Sequence, residues 1–249
     1  IKEGIDNFVA NRGRVLIQGS VGRGTDLPGR FDIDMIALIS TLSPGAVEGD
    51  RVVTSVTQAL QRKGYRIGAV RQKSHNGTQW LISFLVHDNS GVPLTEVEIT
   101  LANQNQAYPD LFFEQLKQIT ARFGDSARES VLADARLMKQ LLQRVVSSYK
   151  WYHGGLSGIG AEQLIIQSGG ASNNGRTIQG LGSFNKAMEW IYREGYNSQS
   201  RSILPLAEVK QRFRIYNVNG SNFLDNLNEW TWRRIVHAAR VYVEGRQEG

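Results

Sequence analysis

The chain of 249 residues contains no cysteine, which excludes disulfides, thiolate metal sites and cysteine nucleophiles. Hydrophobic residues make up 41% and charged residues 21%, the composition of a soluble globular protein with one large or two small domains. No apolar run approaches the ~20 residues that a membrane-spanning helix needs, so no membrane partner is expected. The net charge of +6 favours a polyanionic partner such as a nucleic acid. The four histidines are far apart in the sequence, which argues against a histidine metal site.

The first third of the chain alternates strand and helix patterns. Strands are predicted at Val15–Ser20, Asp32–Ser40, Trp80–Val86 and Thr95–Ala102, and a helix is predicted at Asp50–Gly64. The second strand is polar at its start and then continuously apolar, as in a strand that is covered on both faces. The fourth strand alternates, so that Glu96 and Glu98 point to one face. These patterns predict a mixed sheet with helices on one face.

The remainder of the chain has helical patterns. Helices are predicted at Ala127–Tyr152, from Ser157 to Gly169, at Ser183–Gly195 and at Asn228–Gly245, with a flexible loop at Gly169–Gly182. The change of character near residues 105–125 predicts an α+β chain of two domains. The first is a sheet domain over residues 1–115, and the second is a helical domain over residues 116–249.

Acidic and basic residues are kept apart in this sequence. Two long stretches, Arg51–His87 and Ala135–Ala161, contain basic residues and no acidic ones. Such stretches favour binding to a nucleic acid backbone. Nearby aromatic residues could stack on bases, although aromatic residues are more often part of the core; they are Trp151, Tyr152, Trp190 and Tyr192.

The segment GSVGRGTDLPGRFDIDM (Gly19–Met35) carries the first candidate site. Asp32 and Asp34 are two residues apart on a predicted strand, so their carboxylates point the same way. Two adjacent carboxylates repel each other, and one would keep a proton unless a cation bound them. Mg²⁺ prefers carboxylates together with substrate phosphates. A third carboxylate on a neighbouring strand, Glu98 or less favourably Glu96, would complete a two-metal site with ions ~4 Å apart.

The glycine-rich turn before these aspartates suits a phosphate. Small residues let backbone N–H groups approach it, the hydroxyls of Ser20 and Thr25 can donate hydrogen bonds, and Arg23 can offset charge. The turn is not a P-loop, because no Gly-Lys-Ser/Thr follows. It is not a dinucleotide-binding fingerprint either, because its glycine spacing differs and no helix is expected to follow directly. The alternative interpretation is that Gly19–Gly29 is a surface loop and that Asp32 and Asp34 are solvated residues that follow it.

These residues resemble the signature of the nucleotidyltransferase superfamily: a Gly-Ser pair, a later D-x-D and a third acid on a separate strand. Gly19–Met35 is most similar to archaeal-type class I CCA-adding tRNA nucleotidyltransferases. Asp134–Leu142 and Gly154–Gly170 resemble the neck helices of those enzymes. Tyr216–Arg240 resembles a closing segment that they share with oligoadenylate synthetases and bacterial cGAS-like cyclases. The resemblance implies a polymerase-beta-like palm followed by a helical domain.

The resemblance also implies roles for individual residues. Asp32 and Asp34 would bind both metals, and Glu98 would be the third ligand and activate the attacking hydroxyl, although the family usually has aspartate there. The cofactor would be Mg²⁺, with Mn²⁺ as an alternative.

The nucleotide would be held by other residues. Gly19 and Ser20 match the pair that holds the triphosphate. Lys139 matches a lysine that contacts it, and the lack of nearby acids in the sequence supports this role over a solvated helix position. Tyr149 matches a tyrosine in the same pocket, or else belongs to the core.

Three departures from the family bear on the acceptor. The histidine that usually follows the third acid is missing, Ser221 stands where an arginine is expected before Asn222, and the C-terminal body that grips tRNA has no counterpart. A catalytic core of this kind also fits a domain of a larger protein, such as a toxin delivered into the cytoplasm.

The leading hypothesis is therefore a metal-dependent enzyme that transfers a nucleotide from ATP or CTP to an RNA 3′ end, favouring tRNA. The first alternative is a cyclic-oligonucleotide or oligoadenylate synthase. The second is the nucleotidyltransferase domain of a larger toxin that modifies tRNA. A degenerate RNA-binding or partner module is the non-enzymatic alternative, and the retention of all three acids argues against it.

Overall fold

The computed structural model describes residues 1–9, 13–27, 32–40, 44–75, 77–104, 111–145, 158–217 and 220–247. The chain divides into two compact units, Ile1–Tyr108 and Pro109–Gly249. Within the described part of the chain, no helix is long and apolar enough to cross a membrane.

In its described residues, the first unit consists of a sheet and three helices. Its elements are α1 (Lys2–Val9), β1 (Gly13–Gln18), α2 (Gly19–Arg23), β2 (Asp32–Ile39), α3 (Ala46–Gln61), β3 (Arg66–Ile67), β4 (Arg71–His75), β5 (Gln79–His87) and β6 (Pro93–Asn103). The strand order is β1-β2-β6-β5-β3, and β4 pairs with the same edge of β5 as β3 does. Strands β2 and β6 are parallel and the other pairs are antiparallel. The predicted mixed sheet is confirmed.

Side-chain alternation gives the sheet two different faces. On β2, the residues at odd positions from Met35 to Ile39 are buried in a core with their neighbours on β5, β6, α1 and α3. The residues at even positions begin with Asp32 and Asp34 and continue with Ile36 and Leu38, which form a small separate cluster. Because α1 and α3 pack on the first face only, the charged start of β2 lies on the face away from these helices.

The second unit is mainly helical. Its elements are α4 (Leu111–Phe123), α5 (Asp125–Val145), α6 (Gly158–Gln167), β7 (Ala171–Ser172), β8 (Thr177–Ile178), α7 (Phe184–Gly195), β9 (Tyr196–Asn197), β10 (Ser202–Ile203), α8 (Leu206–Val209), a 3₁₀ turn (Phe223–Asn226) and α9 (Glu229–Gln247). One apolar core joins its helices. The hydroxyl of Ser183 accepts a hydrogen bond from the Lys186 backbone N–H, so Ser183 is the N-cap that the sequence predicted.

The segment predicted as a flexible loop has a fixed structure. Residues 171–178 form the β7–β8 hairpin, and Ile178 is fully buried. The Gln115 amide on α4 donates to the Gly175 carbonyl oxygen, and Arg122 donates to the Ile178 carbonyl oxygen. The loop prediction was wrong because it rested on glycines and polar residues, whereas the anchoring partners lie on a helix, 60 and 56 residues earlier in the chain.

Candidate functional site

Among the described residues, four carboxylates lie on the face of the sheet opposite α1 and α3. In the parallel pairing of β2 with β6, Asp32 lies opposite Glu96 and Asp34 lies opposite Glu98. Neighbouring strands are about 4.8 Å apart, so each pair starts from closely spaced Cα atoms. The structure therefore brings together the three acids that the sequence predicted, with Glu96 beside them.

The carboxyl group of Asp34 has a strongly raised pKa. Burial raises the pKa of Asp34 to about 6, with further upward contributions from the charges of Glu98 and Asp32. The positive charge of Arg23 acts in the opposite direction and is the weaker influence. A carboxyl group in this state is ready to bind a cation, because a cation would remove the repulsion that favours the proton.

Gly19 packs directly against Asp34. Its φ is +62°, which favours glycine, and a Cβ atom built there would overlap the Asp34 carboxylate, with Asp34 Cγ only 2.7 Å away. Gly22 has a related role, because a Cβ atom there would overlap the backbone carbonyl of Ile17 on β1. The glycines of the Gly19–Arg23 segment are thus needed for close packing against the acidic strand.

The turn after β1 contains a short helix. Helix α2 begins at Gly19, directly after β1, so the prediction that no helix follows directly was wrong. The helix ends at Gly24, which adopts a left-handed conformation and closes the turn. Arg23 is 8% exposed, Thr25 is fully buried and Ser20 is partly buried. Arg23 therefore places a buried cation near Asp34, and its contact with a phosphate stays a prediction.

The acids are adjacent but do not form a ready-made metal site. In residues covered by the structure, no three His, Cys, Asp or Glu side chains converge closely enough to hold a metal ion. Asp32 and Glu98 are exposed, so their side chains can turn toward Asp34 without displacing core residues. The donor set consists of hard carboxylate oxygens, which suit Mg²⁺.

A basic strand borders the acidic group. Ser83 on β5 pairs with Glu98 on one side and with Arg71 on the other, and Lys73 follows two residues later on β4. Arg71 and Lys73 are exposed on the same face as the acids, and two strand spacings put Arg71 about 10 Å from Glu98 at the backbone. A polyanion could therefore lie along β4 next to the carboxylates.

Lys139 is buried in an ion pair. Its Nζ atom lies 2.5 Å from Glu162 Oε1, and the side chains of the two residues are 7% and 0% exposed. Glu162 is the residue directly after the acid-free stretch that supported a phosphate-binding role for Lys139. The contact of Lys139 with a triphosphate stays a prediction, and the argument from missing acids no longer supports it.

Other predicted contacts have mixed outcomes. Tyr149, Trp151 and Tyr152 lie outside the described residues. Trp190 is partly buried and packs edge-on against Phe213, with ring centroids 4.6 Å apart.

Two comparisons with known proteins give no match: no family model fits the chain, and no curated protein is similar to it. Solved structures share its fold. CdnC from E. coli MS115-1, solved with ATP, has a TM-score of 0.51 at 14% identity over 96% of this chain and 80% of CdnC. The cyclic dinucleotide synthase CdnE from Elizabethkingia meningoseptica, solved with GTP and Apcpp, has a TM-score of 0.50 at 11% identity over 97% of this chain and 88% of CdnE.

A weaker match is terminal uridylyl transferase 4 from Trypanosoma brucei with bound dUTP, which has a TM-score of 0.47 at 11% identity over 98% of this chain and 90% of that one. At such identities the shared property is the fold. The chain has the mixed-sheet nucleotidyltransferase fold.

Two arrangements of charged residues were not predicted from the sequence: strand β4 and the buried pair of Lys139 with Glu162. Strand β4 was missed because RQKSH has no apolar alternation, although the alternation of Arg71 and Lys73 was visible. The pairing of Lys139 with Glu162 was missed because 23 residues separate them and part of the intervening segment had been predicted as helix.

Proposed function

We propose that this chain transfers a nucleoside monophosphate from an NTP to a hydroxyl group and releases pyrophosphate. The proposed catalytic residues are Asp32, Asp34 and Glu98. The observation that carries the proposal is the alignment of Asp34 with Glu98 on parallel strands, beside a glycine that leaves room for the Asp34 carboxylate. Repulsion among these carboxylates destabilises the folded chain, and unfavourable charge clusters of this kind are typical of functional sites. A reaction that depends on a bound cation explains the cluster.

The residues around Asp34 supply the positions that the reaction needs. Gly19 and Ser20, at the start of α2, would hold the triphosphate, and Arg23 offsets part of the negative charge. The attacking oxygen forms a bond to the α-phosphorus while the bond from that phosphorus to the pyrophosphate oxygen breaks. Glu98 would accept the proton of the attacking hydroxyl, because its exposed side chain can reach an acceptor above the sheet.

Mg²⁺ is the proposed cofactor, and Mn²⁺ shares its preference for oxygen ligands. Asp32, Asp34 and Glu98 would hold it. When bound, it neutralises the carboxylates and stabilises the charge that develops on the phosphates.

The acceptor that we propose is an RNA 3′ end, favouring tRNA, as in CCA-adding enzymes, with ATP or CTP as donor. The exposed Arg71 and Lys73 beside Glu98 support a polyanionic acceptor. Ser221, in place of the family's arginine, leaves the choice of base open to experiment. A tRNA acceptor implies action in the cytoplasm, either as a free enzyme or as a domain of a larger toxin.

Synthesis of a cyclic or 2′–5′-linked oligonucleotide is the second candidate. It is favoured by the similarity in fold to CdnE, which is described as a cyclic dinucleotide synthase. In that case the attacking hydroxyl belongs to a second nucleotide, and the basic strand has no necessary role.

The test is incubation with α-labelled ATP or CTP and Mg²⁺, with and without tRNA, followed by separation of products and sequencing of the tRNA 3′ ends. We expect label on tRNA, loss of at least about 100-fold in rate with Asp34→Asn, and little change with the exposed control Glu114→Gln. Small cyclic or 2′–5′ products in the absence of RNA would establish the second candidate. Full activity of Asp34→Asn would refute the proposed site.

Glu98→Gln and Glu96→Gln distinguish the third ligand. Both residues are exposed on β6 and point to the same face, but only Glu98 pairs with Asp34. We expect Glu98→Gln to be as damaging as Asp34→Asn and Glu96→Gln to retain most activity. The reverse order would move the assignment to Glu96.

A further inference from the structure

A cleft of about 600 Å³ lies within the second unit. The cleft is lined by residues of α7, by residues between 211 and 216, and by residues at the end of α6 and on both sides of the β7–β8 hairpin. None of the residues that we propose for catalysis lines it. Its volume is within the range of about 300–1,000 Å³ that small-molecule sites occupy.

The walls of this cleft are strongly basic. Four cationic side chains line it against one acidic side chain, Glu189; they are Lys186, Arg193, Arg212 and Arg214. On α7, Lys186 and Arg193 are seven residues apart, which is two helical turns, so both lie on the side that faces the cleft. The wall therefore offers positive charge along about 10 Å of its length.

Several of these cations have donors left for a ligand. Arg193 and Arg212 both pair with Glu194, since their Nε atoms lie 3.1 and 3.6 Å from its two carboxylate oxygens. These pairs leave other N–H groups of each guanidinium available to a ligand. Lys186 donates to the Leu181 carbonyl oxygen and keeps two further N–H bonds. Arg214 is exposed and has no partner among the described residues.

The cleft also has groups that suit a base or a ribose. Trp190 is one of the lining residues, and its indole packs edge-on against the buried ring of Phe213. The carboxylate of Glu189 and the side-chain amides of Gln179 and Gln211 are further lining groups that can bond to hydroxyl and amino groups. A site for inorganic phosphate alone would have no use for an aromatic wall and a carboxylate.

From this combination we infer that the second unit has its own nucleotide site. The cleft binds a phosphorylated nucleotide, with the phosphate on the cations and the base on Trp190. Such a nucleotide can be free or can be one residue of a single RNA strand. The inference does not depend on the proposed transfer reaction, because it concerns binding in the absence of metal.

The test is a titration of the full chain with a fluorescent RNA hexamer and, separately, with ATP, in EDTA and at several KCl concentrations. The test variant is Arg193→Gln/Arg214→Gln. Its matched control is Lys117→Gln/Arg128→Gln, which removes the same charge from α4 and α5, where the exposed Lys117 and the partly buried Arg128 have their own acidic partners. Thermal unfolding checks that each variant is folded.

We expect the test variant to bind RNA about 25-fold more weakly at 0.1 M KCl. The slope of log Kd against log salt should fall by about 1.4, because each phosphate contact on a single strand contributes about 0.7. The control variant should change neither quantity. If ATP binds the parent chain as tightly as the hexamer does, and the test variant weakens both equally, the natural ligand is a free nucleotide. Tighter binding of the hexamer than of ATP identifies the ligand as an RNA strand.

A second variant tests the aromatic wall. Trp190→Leu should weaken RNA binding by about 5- to 150-fold, which corresponds to the loss of one stacking contact between an aromatic ring and a base. The slope of log Kd against log salt should not change. If the test variant and its control bind RNA equally well, the inference is overturned, whatever the result for Trp190→Leu. Binding that depends on the cations but not on Trp190 would overturn the nucleotide assignment and leave a phosphate site.

Discussion

At the scale of single residues, Asp34 determines how the first unit responds to pH and to cations. Its pKa in the folded chain is about 6, well above the ordinary 3.8, and the first cause is burial. The folded chain therefore disfavours the ionised form. Below about pH 4 Asp34 is protonated in both the folded and the unfolded chain and has no effect on stability. Between pH 4 and 6 its ionisation becomes progressively destabilising, and above pH 6 the full penalty is present.

Asp34→Asn should accordingly stabilise the protein at pH 7.5 in EDTA. The shift corresponds to at most about 3 kcal/mol, and solvent screening of this partly exposed group should leave about 1–2 kcal/mol. The measurement is the free energy of unfolding of both proteins between pH 4 and pH 8. The gain should vanish near pH 4, and Mg²⁺ should stabilise the parent chain but not the variant. A gain that is equal at every pH would contradict the role of ionisation.

Gly19 affects the same carboxylate through space rather than charge. Gly19→Ala adds a Cβ atom where the Asp34 carboxylate lies, so the carboxylate must move by about 1 Å or more. Misplacement of that size typically costs about 100-fold in rate. The matched control is Gly77→Ala, since Gly77 has a similar φ of +69° with open space around its Cβ position. Both variants should lose similar stability, and only Gly19→Ala should lose transfer activity. Equal activity of the two would show that Gly19 does not position Asp34.

At the scale of elements, strand β4 joins the acidic strands to a basic border. A strand with Arg71, Lys73 and His75 on one side has no apolar face of its own, and it is held by the ladder to β5 and by Gln72. The Gln72 side chain accepts a hydrogen bond from the Trp80 indole and donates one to Asp50. The polar side chains on the opposite face of β4 thus fix it, and its cations are left to face solvent beside Glu98.

Arg71→Gln/Lys73→Gln tests the acceptor at this scale. If RNA lies along β4, the double variant should raise the KM for tRNA by about 10-fold or more at 0.1 M salt, and leave the KM for the NTP unchanged. Arg51→Gln/Lys63→Gln, which removes the same charge from α3 and the turn after it, should have little effect. An unchanged KM for tRNA would argue against this path for the acceptor.

At the scale of the whole molecule, charge and core are divided between the two units. The formal charge is +1 over residues 1–108 and +5 over residues 109–249, which together account for the +6 of the chain. Each unit has its own main hydrophobic core. In the second unit a buried glutamine network adds to this core, since Gln115 and Gln163 exchange hydrogen bonds and Gln167 bonds to Gln163 and to the Tyr216 backbone.

This organisation predicts where the second unit can be separated. A fragment of residues 109–249 should fold and unfold cooperatively, with the circular dichroism of a helical protein. A fragment of residues 116–249 lacks Leu111, Phe112 and Gln115, which are buried, and removes the Gln115 acceptor of the Gln163 side-chain N–H. It should be destabilised by several kcal/mol. Equal stability of the two fragments would favour the boundary at residue 115 that the sequence suggested.

Much of the fold could be predicted from local patterns. The four predicted strands and the cap at Ser183 correspond closely to observed elements, because burial imposes period 2 on a strand and orphan N–H groups require a cap at a helix start. The β7–β8 hairpin was missed because its anchoring partners lie on the distant helix α4, and strand β4 was missed although its partner β5 follows closely along the chain. Their own sequences lack the apolar periodicity on which such predictions rest.

For the candidate site, the sequence alone determined the residue types and the local direction of Asp32, Asp34, Glu96 and Glu98, because spacing by two puts strand residues on one face. It could not determine the register, and only the pairing of β2 with β6 put Glu98 rather than Glu96 opposite Asp34. Burial also arises only in three dimensions. Burial raises the pKa of Asp34, because desolvation depends on neighbours that are distant along the chain. Lys139 and Glu162 form a buried ion pair only because folding brings their two helices together.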